Sequence, residues 1–450
     1  METYDYTSLL LKLTKSIRKI SIGLKEQGLI STVENPILKN KIEEFEQKDD
    51  GSSRFSQSYQ QIIRKEWSGE DILKTIVPKV KQLEVYQQIV KLLSERFSVN
   101  TAQADFWVSN FMGFVARESL NDATEDKIIE LSISFMMDLE GSPKYWNPTL
   151  WINGLLLKDD SLRVSDTFII RKVVASDLER EWNLLSFPFF FEMNEYPPNS
   201  IIQLVLRGKN QPEIHIELEK IILSLRLFKV GSIENVKTHW GVLTFTSLGF
   251  GVSSKSYPSS SNYKYELKKE DIPRLSDFLK KFPSLIPSAL TSGQGEIDYS
   301  VIAIQRYNDA LMKPEIFESR LSFGIMALEA LFLKKEIENG ELEHRLSQRV
   351  ARLLSLYEYK PLEVFNTLKR SYAIRSSYVH GSPIPKEELN QASELTQKVL
   401  DYVRICIILF LQLKEKFEKD KLLNLIDNSL LSEEAFEKLK QELKQNCTFT

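Results

Sequence analysis

Cysteine and histidine are scarce in this chain of 450 residues, which holds two of the first and four of the second. Cys406 sits in an apolar stretch and Cys447 near the end, so neither a disulfide framework nor a zinc site is expected, and so few thiols fit a reducing compartment. His215, His239, His344 and His380 fall at spacings unlike those of a metal-ligand set, and neither metal nor cofactor is expected. Long hydrophobic runs are missing too. The longest, residues 405–413, is interrupted by Gln412, closed by Lys414 and too short to cross a bilayer. Residues 1–5 lack the basic start and apolar core of a secretory signal. A surplus of either charge is absent: 59 Lys and Arg against 62 Asp and Glu give a net charge of −3. Over residues 296–450 the balance is 22 against 24, so any polyanion must be met by a local patch. These absences predict a cytoplasmic protein with no membrane segment.

What is present suits a multidomain globular chain. Hydrophobic residues make up 42% and charged residues 27%, and the length predicts two or three domains. The expected class is α+β, mostly α, in three regions. Residues 1–155 read mostly as helices, with apolar residues at helical spacing over 6–24, 72–97 and 126–139 and a polar loop at 47–54. Trp107, Trp146 and Trp151 read as packing residues. The period shortens over 156–290. Residues 166–174, 201–206, 213–218 and 241–246 are short, β-branched or aromatic and separated by turn signals, which predicts strands and places His215 on a solvated strand face. Residues 221–228 fit a helix or a strand. The glycine-rich segment 249–255 could cradle a phosphate but lacks P-loop spacing, and residues 257–262 read as a surface loop. From 291 to 450 the chain is helical again, with apolar seams through Leu321, Ile325, Leu328 and Phe332 and through Leu346, Val350 and Leu353, and a charged closing helix capped at Ser432.

The densest chemistry lies in residues 372–383, Tyr-Ala-Ile-Arg-Ser-Ser-Tyr-Val-His-Gly-Ser-Pro. Gly381 suits the left-handed position past a helix C-terminus and Pro383 prevents continuation, so His380 falls at the helix end. The unpaired carbonyls there favour a protonated imidazole. Arg375 and His380 are separated by roughly 7.5 Å along the axis and about 140° around it, so both face one site only where it wraps the helix end or a second helix completes it. A guanidinium fork for phosphate oxygens and an imidazole for proton transfer suit phosphodiester chemistry. The same two residues also complement a helix dipole, a purely structural use.

Three segments in order, Arg320 to Phe332, His344 to Leu354 and the Arg375-Ser-Ser-Tyr-Val-His380 stretch, resemble HEPN domains of the Apea-like branch, with Glu329 at the acidic position of the first helix. The resemblance covers roughly residues 296–425. It implies an up-and-down helical bundle that dimerises and sets two Arg-x4-His helix ends against each other. It also implies an endoribonuclease that needs no metal, leaves cyclic phosphate and 5′-hydroxyl ends, and acts in stress or anti-phage defence. His380 would transfer protons, Arg375 would stabilise phosphoryl charge, and Ser376 would orient His380 or contact RNA. Glu329 would brace Arg375 or Arg349, the latter expected to pair internally with the Glu329 helix. Tyr372 and Tyr378 would stack on a base or pack. The expected partners are RNA, a second copy of the chain, and a regulatory protein or ligand at the N-terminal region. The alternative is a HEPN-like module that binds RNA or nucleotide, or dimerises, without catalysis.

Overall fold

A computed structural model describes residues 6–48, 53–184, 198–240, 245, 252–254, 264–313, 316–334, 341–384 and 386–448. Its class is α+β, mostly α, with a helical N-terminal part, sheets in the middle and a helical C-terminal part. The N-terminal core gathers α1 (Tyr6–Glu26), the short α2 (Gly69–Asp71) and α3 (Val77–Lys81) joined by one π-helical turn, α4 (Glu84–Arg96), α5 (Thr101–Leu120) and α6 (Glu125–Leu139). Leu10, Leu13 and Ile17 of α1 meet Val108, Phe111 and Val115 of α5, and Phe111 stacks on Phe135 of α6 with ring centroids 4.6 Å apart. Asn100 and Thr124 cap α5 and α6 by accepting main-chain N–H bonds from Gln103 and Lys127.

The helical expectation for residues 1–155 fails over one long stretch and again from Lys144, where strands begin. β1 (Thr32–Gln47) and β2 (Ser53–Trp67) form an antiparallel hairpin; of the loop expected at 47–54, Gln47, Ser53 and Arg54 are in the strands and residues 49–52 lie outside the described residues. The hairpin leaves the bundle at Ser31 and returns at Ser68, whose N–H donates to the Ser31 carbonyl at 3.0 Å. Near the far end, Ile42, Phe45 and Phe55 pack on Trp151, Val173, Leu178, Ile201 and Val236. A bulge beside Ile42 frees its N–H to donate to the Glu179 carboxylate at 2.8 Å.

The middle region follows as β3 (Lys144–Trp146), β4 (Thr149–Asn153), β5 (Leu155–Leu157), β6 (Ser161–Ser165), β7 (Phe168–Lys172), α7 (Ala175–Leu184), β8 (Ser200–Leu204), β9 (Leu206–Gly208), α8 (Gln211–Phe228), β10 (Glu234–His239), β11 (Val252–Ser254), β12 (Tyr265–Leu267) and α9 (Ile272–Lys281). Six strands form a sheet of order β11-β10-β4-β8-β7-β6, antiparallel throughout. Strand alternation splits its two faces. Leu150, Ile152, Ile202 and Leu204 join α8 in the main core, while Trp151 and Ile201 face α7 and the hairpin.

Residues 213–218, expected as a strand, belong to α8. Asn210 accepts from the Glu213 N–H at 3.0 Å and Pro212 sits in the first turn, so a capped helix start overrides the local alternation of Ile214, His215 and Ile216. His215 is therefore on a helix, not on a strand face. The expected strand at 241–246 lies outside the described residues apart from Phe245, which packs in the N-terminal core, and residues 249–251 and 255 also lie outside them. A Cβ at Gly231 would lie 2.8 Å from the Tyr265 Cα and 2.6 Å from its Cβ. Gly231→Ala must push two backbones apart, and it should destabilise the protein by about 1–3 kcal/mol, read as a lowered urea midpoint.

The C-terminal helices are α10 (Tyr299–Met312), α11 (Phe317–Phe332), α12 (Leu342–Leu354), α13 (Pro361–Val379), α14 (Lys386–Leu413), α15 (Lys419–Ser429) and α16 (Glu433–Asn446). Gly324 lets α11 approach α14, where an added Cβ would meet Val399 Cγ1 at 3.0 Å. The seams through Leu321, Ile325 and Leu328 and through Leu346, Val350 and Leu353 are fully buried, and Ser432 caps α16 by accepting from the Ala435 N–H. One apolar core runs from Trp146 to Leu443 and joins the sheet to these helices. Polar ties cross the same boundary. Arg404 donates to the Leu227 and Phe228 carbonyls, and Tyr307 donates to the Arg226 carbonyl. Among the described residues no helix is long and apolar enough to cross a membrane.

Candidate active site at the end of helix α13

Helix α13 starts on Pro361, whose missing N–H costs nothing in the first turn, and buries Val364, Leu368 and Ile374 against its neighbours. It stops as the sequence expects. Gly381 takes φ +67°, its N–H donates to the Tyr378 carbonyl, and the Ser382 N–H donates to the Ser377 carbonyl at 2.8 Å. This pair of reversed bonds is a Schellman closure, which satisfies carbonyls that the helix end would otherwise leave open. Nothing lies within 4 Å of a Cβ built at Gly381. The cost of Gly381→Ala is therefore conformational alone, about 1–2 kcal/mol, and it should appear as a lowered Tm without repacking of the core.

His380 is the C-cap residue, with its N–H donating to the Ser376 carbonyl at 3.0 Å. Its imidazole is exposed and has no partner among the described residues. Tyr378 and Val379 are exposed beside it, at 39% and 55%. Ser376 is half-buried one turn back, on the face of His380.

Arg375 turns the other way, toward α11. Its Nη2 lies 3.4 Å from Glu329 Oε2, and its guanidinium lies 5.6 Å from the centre of the Tyr372 ring. Nε of Arg375 is buried without a hydrogen-bond partner. Only about a fifth of each ion-pair side chain is exposed, 22% for Arg375 and 19% for Glu329. Burial and the neighbouring Glu329 carboxylate both raise the Tyr372 phenol above its ordinary range, so it stays protonated and donates to Glu329. Glu329, Arg375 and Tyr372 thus form one cluster from two helices, brought together across 46 positions of sequence.

Arg349 does not join that cluster. It is internally paired, as expected, and reaches the Glu329 helix through the Phe332 carbonyl, but its carboxylate partner among the described residues is on α15. Nε and Nη2 fork onto the two Asp427 oxygens at 2.7 and 2.9 Å, and Nη1 donates to the Phe332 carbonyl at 2.6 Å. Helix α12 packs against α15, which the sequence reading did not separate as an element, although Leu422, Leu423 and Ile426 repeat at helical spacing. Arg352 likewise donates to Ser429 and stacks 3.6 Å over Phe436, which leaves it as a packing residue. The helix end therefore offers an anchored guanidinium on its inner flank, a free imidazole at its tip and a small apolar surface beside that imidazole. No family model, curated protein or solved structure matches the chain in comparison.

Proposed function

We propose that the C-terminal helices form a HEPN-like ribonuclease module acting on RNA in the cytoplasm, as a stress or anti-phage effector. The observation that carries this reading is the division of labour at the end of α13. His380 is exposed and unpartnered, whereas Arg375 is held from behind by Glu329 and Tyr372. A buried, mutually paired Arg and His would have marked a scaffold, and the exposed His380 tip argues against that use.

In the reaction, the ribose 2′-oxygen attacks the adjacent phosphorus while His380 takes its proton, and the bond to the 5′-oxygen breaks. The departing oxygen gains a proton, from a second imidazole or from water, and the products are a 2′,3′-cyclic phosphate and a 5′-hydroxyl. Arg375 offsets the charge that builds on the non-bridging oxygens. Arg375 and His380 leave one helix on different flanks, so two helix ends related by a two-fold axis would serve one phosphate better than one end does. Tyr378 and Val379 give such a dimer apolar contact area.

A second reading rests on the Arg375–Glu329 pair. A guanidinium already engaged by a carboxylate has less to offer a phosphate, which favours a module that binds RNA or nucleotide without cleaving it. Incubating the full chain with a mixed RNA pool in EDTA separates the two. Cyclic phosphate ends are expected. Retention of intact RNA by a folded dimer would overturn catalysis and leave the binding module.

A further inference from the structure

Where the N-terminal helices meet the sheet region lies an open hollow of about 890 Å³, the size of an ordinary small-molecule site. Its lining is aromatic to an unusual degree: Phe97, Trp107, Trp146, Trp240 and His215 all contribute. Trp146 spends its indole N–H on the Gly208 carbonyl at 3.0 Å. The indole N–H groups of Trp107 and Trp240 are buried and have no acceptor, and Trp240 is only 2% exposed. Buried donors almost always find partners, and both orphans belong to residues that line this hollow. At the rim, the exposed Lys209 ammonium has no partner among the described residues. The acidic groups nearby are already engaged: Asp138 Oδ2 accepts the Phe245 N–H at 2.8 Å, and Glu140 lies 3.4 Å from Arg96.

We propose that this cavity is a binding site for a planar heteroaromatic anion of the size of a nucleoside monophosphate. The flat ring packs against the half-buried Phe97 and Trp107, its ring nitrogens or carbonyls supply the acceptors that Trp107 and Trp240 lack once a turn of either ring brings its N–H to the hollow, and its anionic end meets Lys209. The assignment rests on the cavity alone and is independent of the chemistry proposed for α13.

The test is isothermal titration calorimetry of the full chain with AMP, GMP, CMP and UMP, with the matching nucleosides and with inorganic phosphate. At least one nucleotide should bind, about tenfold more tightly than its nucleoside, and Lys209→Met should erase that difference. Trp240→Phe keeps the aromatic wall but removes the donor, and it should weaken nucleotide and nucleoside alike by about tenfold. Lys209→Met changes an exposed side chain, so it remains informative even where Trp240→Phe disturbs folding. Binding should persist in His380→Ala. Absence of heat with every probe at millimolar concentration overturns the proposal. So does binding that ignores Lys209→Met and Trp240→Phe, or that disappears in His380→Ala while surviving Lys209→Met.

Discussion

Replacing Arg349 with alanine should destabilise the protein by about 3 kcal/mol, although the residue touches no part of the proposed active site. The side chain is 3% exposed and satisfies three acceptor atoms on two other helices, Asp427 Oδ1 and Oδ2 and the Phe332 carbonyl. Its removal takes a donor from the Phe332 carbonyl and leaves Asp427 with Lys334, 4.0 Å away, as its described cation. Losses of about 3–5 kcal/mol are usual when one partner of a buried ion pair is deleted. The lower end applies because Asp427 keeps 34% of its side chain in water. For a cooperative unit that runs from Trp146 to Leu443 the expected fall in Tm is about 4–6 °C. Arg349→Lys retains the charge without the fork and should fall between. A Tm within about 2 °C of wild type in Arg349→Ala would show that the pair contributes little.

The opposite pattern is expected at His380. Its imidazole is exposed and unpartnered, so His380→Ala should leave stability within about 0.5 kcal/mol of wild type. Metal-free RNA cleavage should nevertheless fall by about 10²–10⁴-fold, the usual contribution of a general acid–base group. Arg375→Lys should also lower cleavage, because an ammonium cannot reproduce the fork that Glu329 aims. The cyclic-phosphate assay on matched, folded variants reads both effects. Cleavage unchanged in His380→Ala removes this helix end from the mechanism. The contrast between Arg349 and His380 is itself informative: one residue should govern Tm and not turnover, and the other turnover and not Tm.

The C-terminal helices and the helix stop were legible from local signals. Gly381 followed by Pro383 specifies the reversal that ends α13, and the apolar seams of α11 and α12 repeat at helical period. The Glu329–Arg375 cluster follows from those helices packing together. The partner of Arg349 does not, because Asp427 lies 78 positions away on an element without a separate signal. The hairpin escaped for a different reason. Its strands are rich in Glu, Lys and Gln; among its described side chains Ile42, Phe45 and Phe55 join one buried core and Trp67 packs on another, so no long alternation marks it. Its stability comes largely from the main-chain ladder, to which composition is a poor guide. In α8 the error was one of weighting. The alternation over residues 213–218 reads as a strand, while Asn210 and Pro212 just upstream carry the helix-start signal.

The hairpin also constrains how this chain tolerates change. Ser31 and Ser68 are hydrogen-bonded neighbours, so the polypeptide departs from the first bundle and rejoins it at a single doorway. Everything between them is topologically an excursion, and α1 to α6 would close behind it with a short splice. The remote end is less free. It roofs Trp151, Ile201 and Val236 on the outer side of the sheet, so trimming the excursion would bare a greasy floor built by a different part of the chain. Length can drift near the doorway, but the roof has to keep its reach.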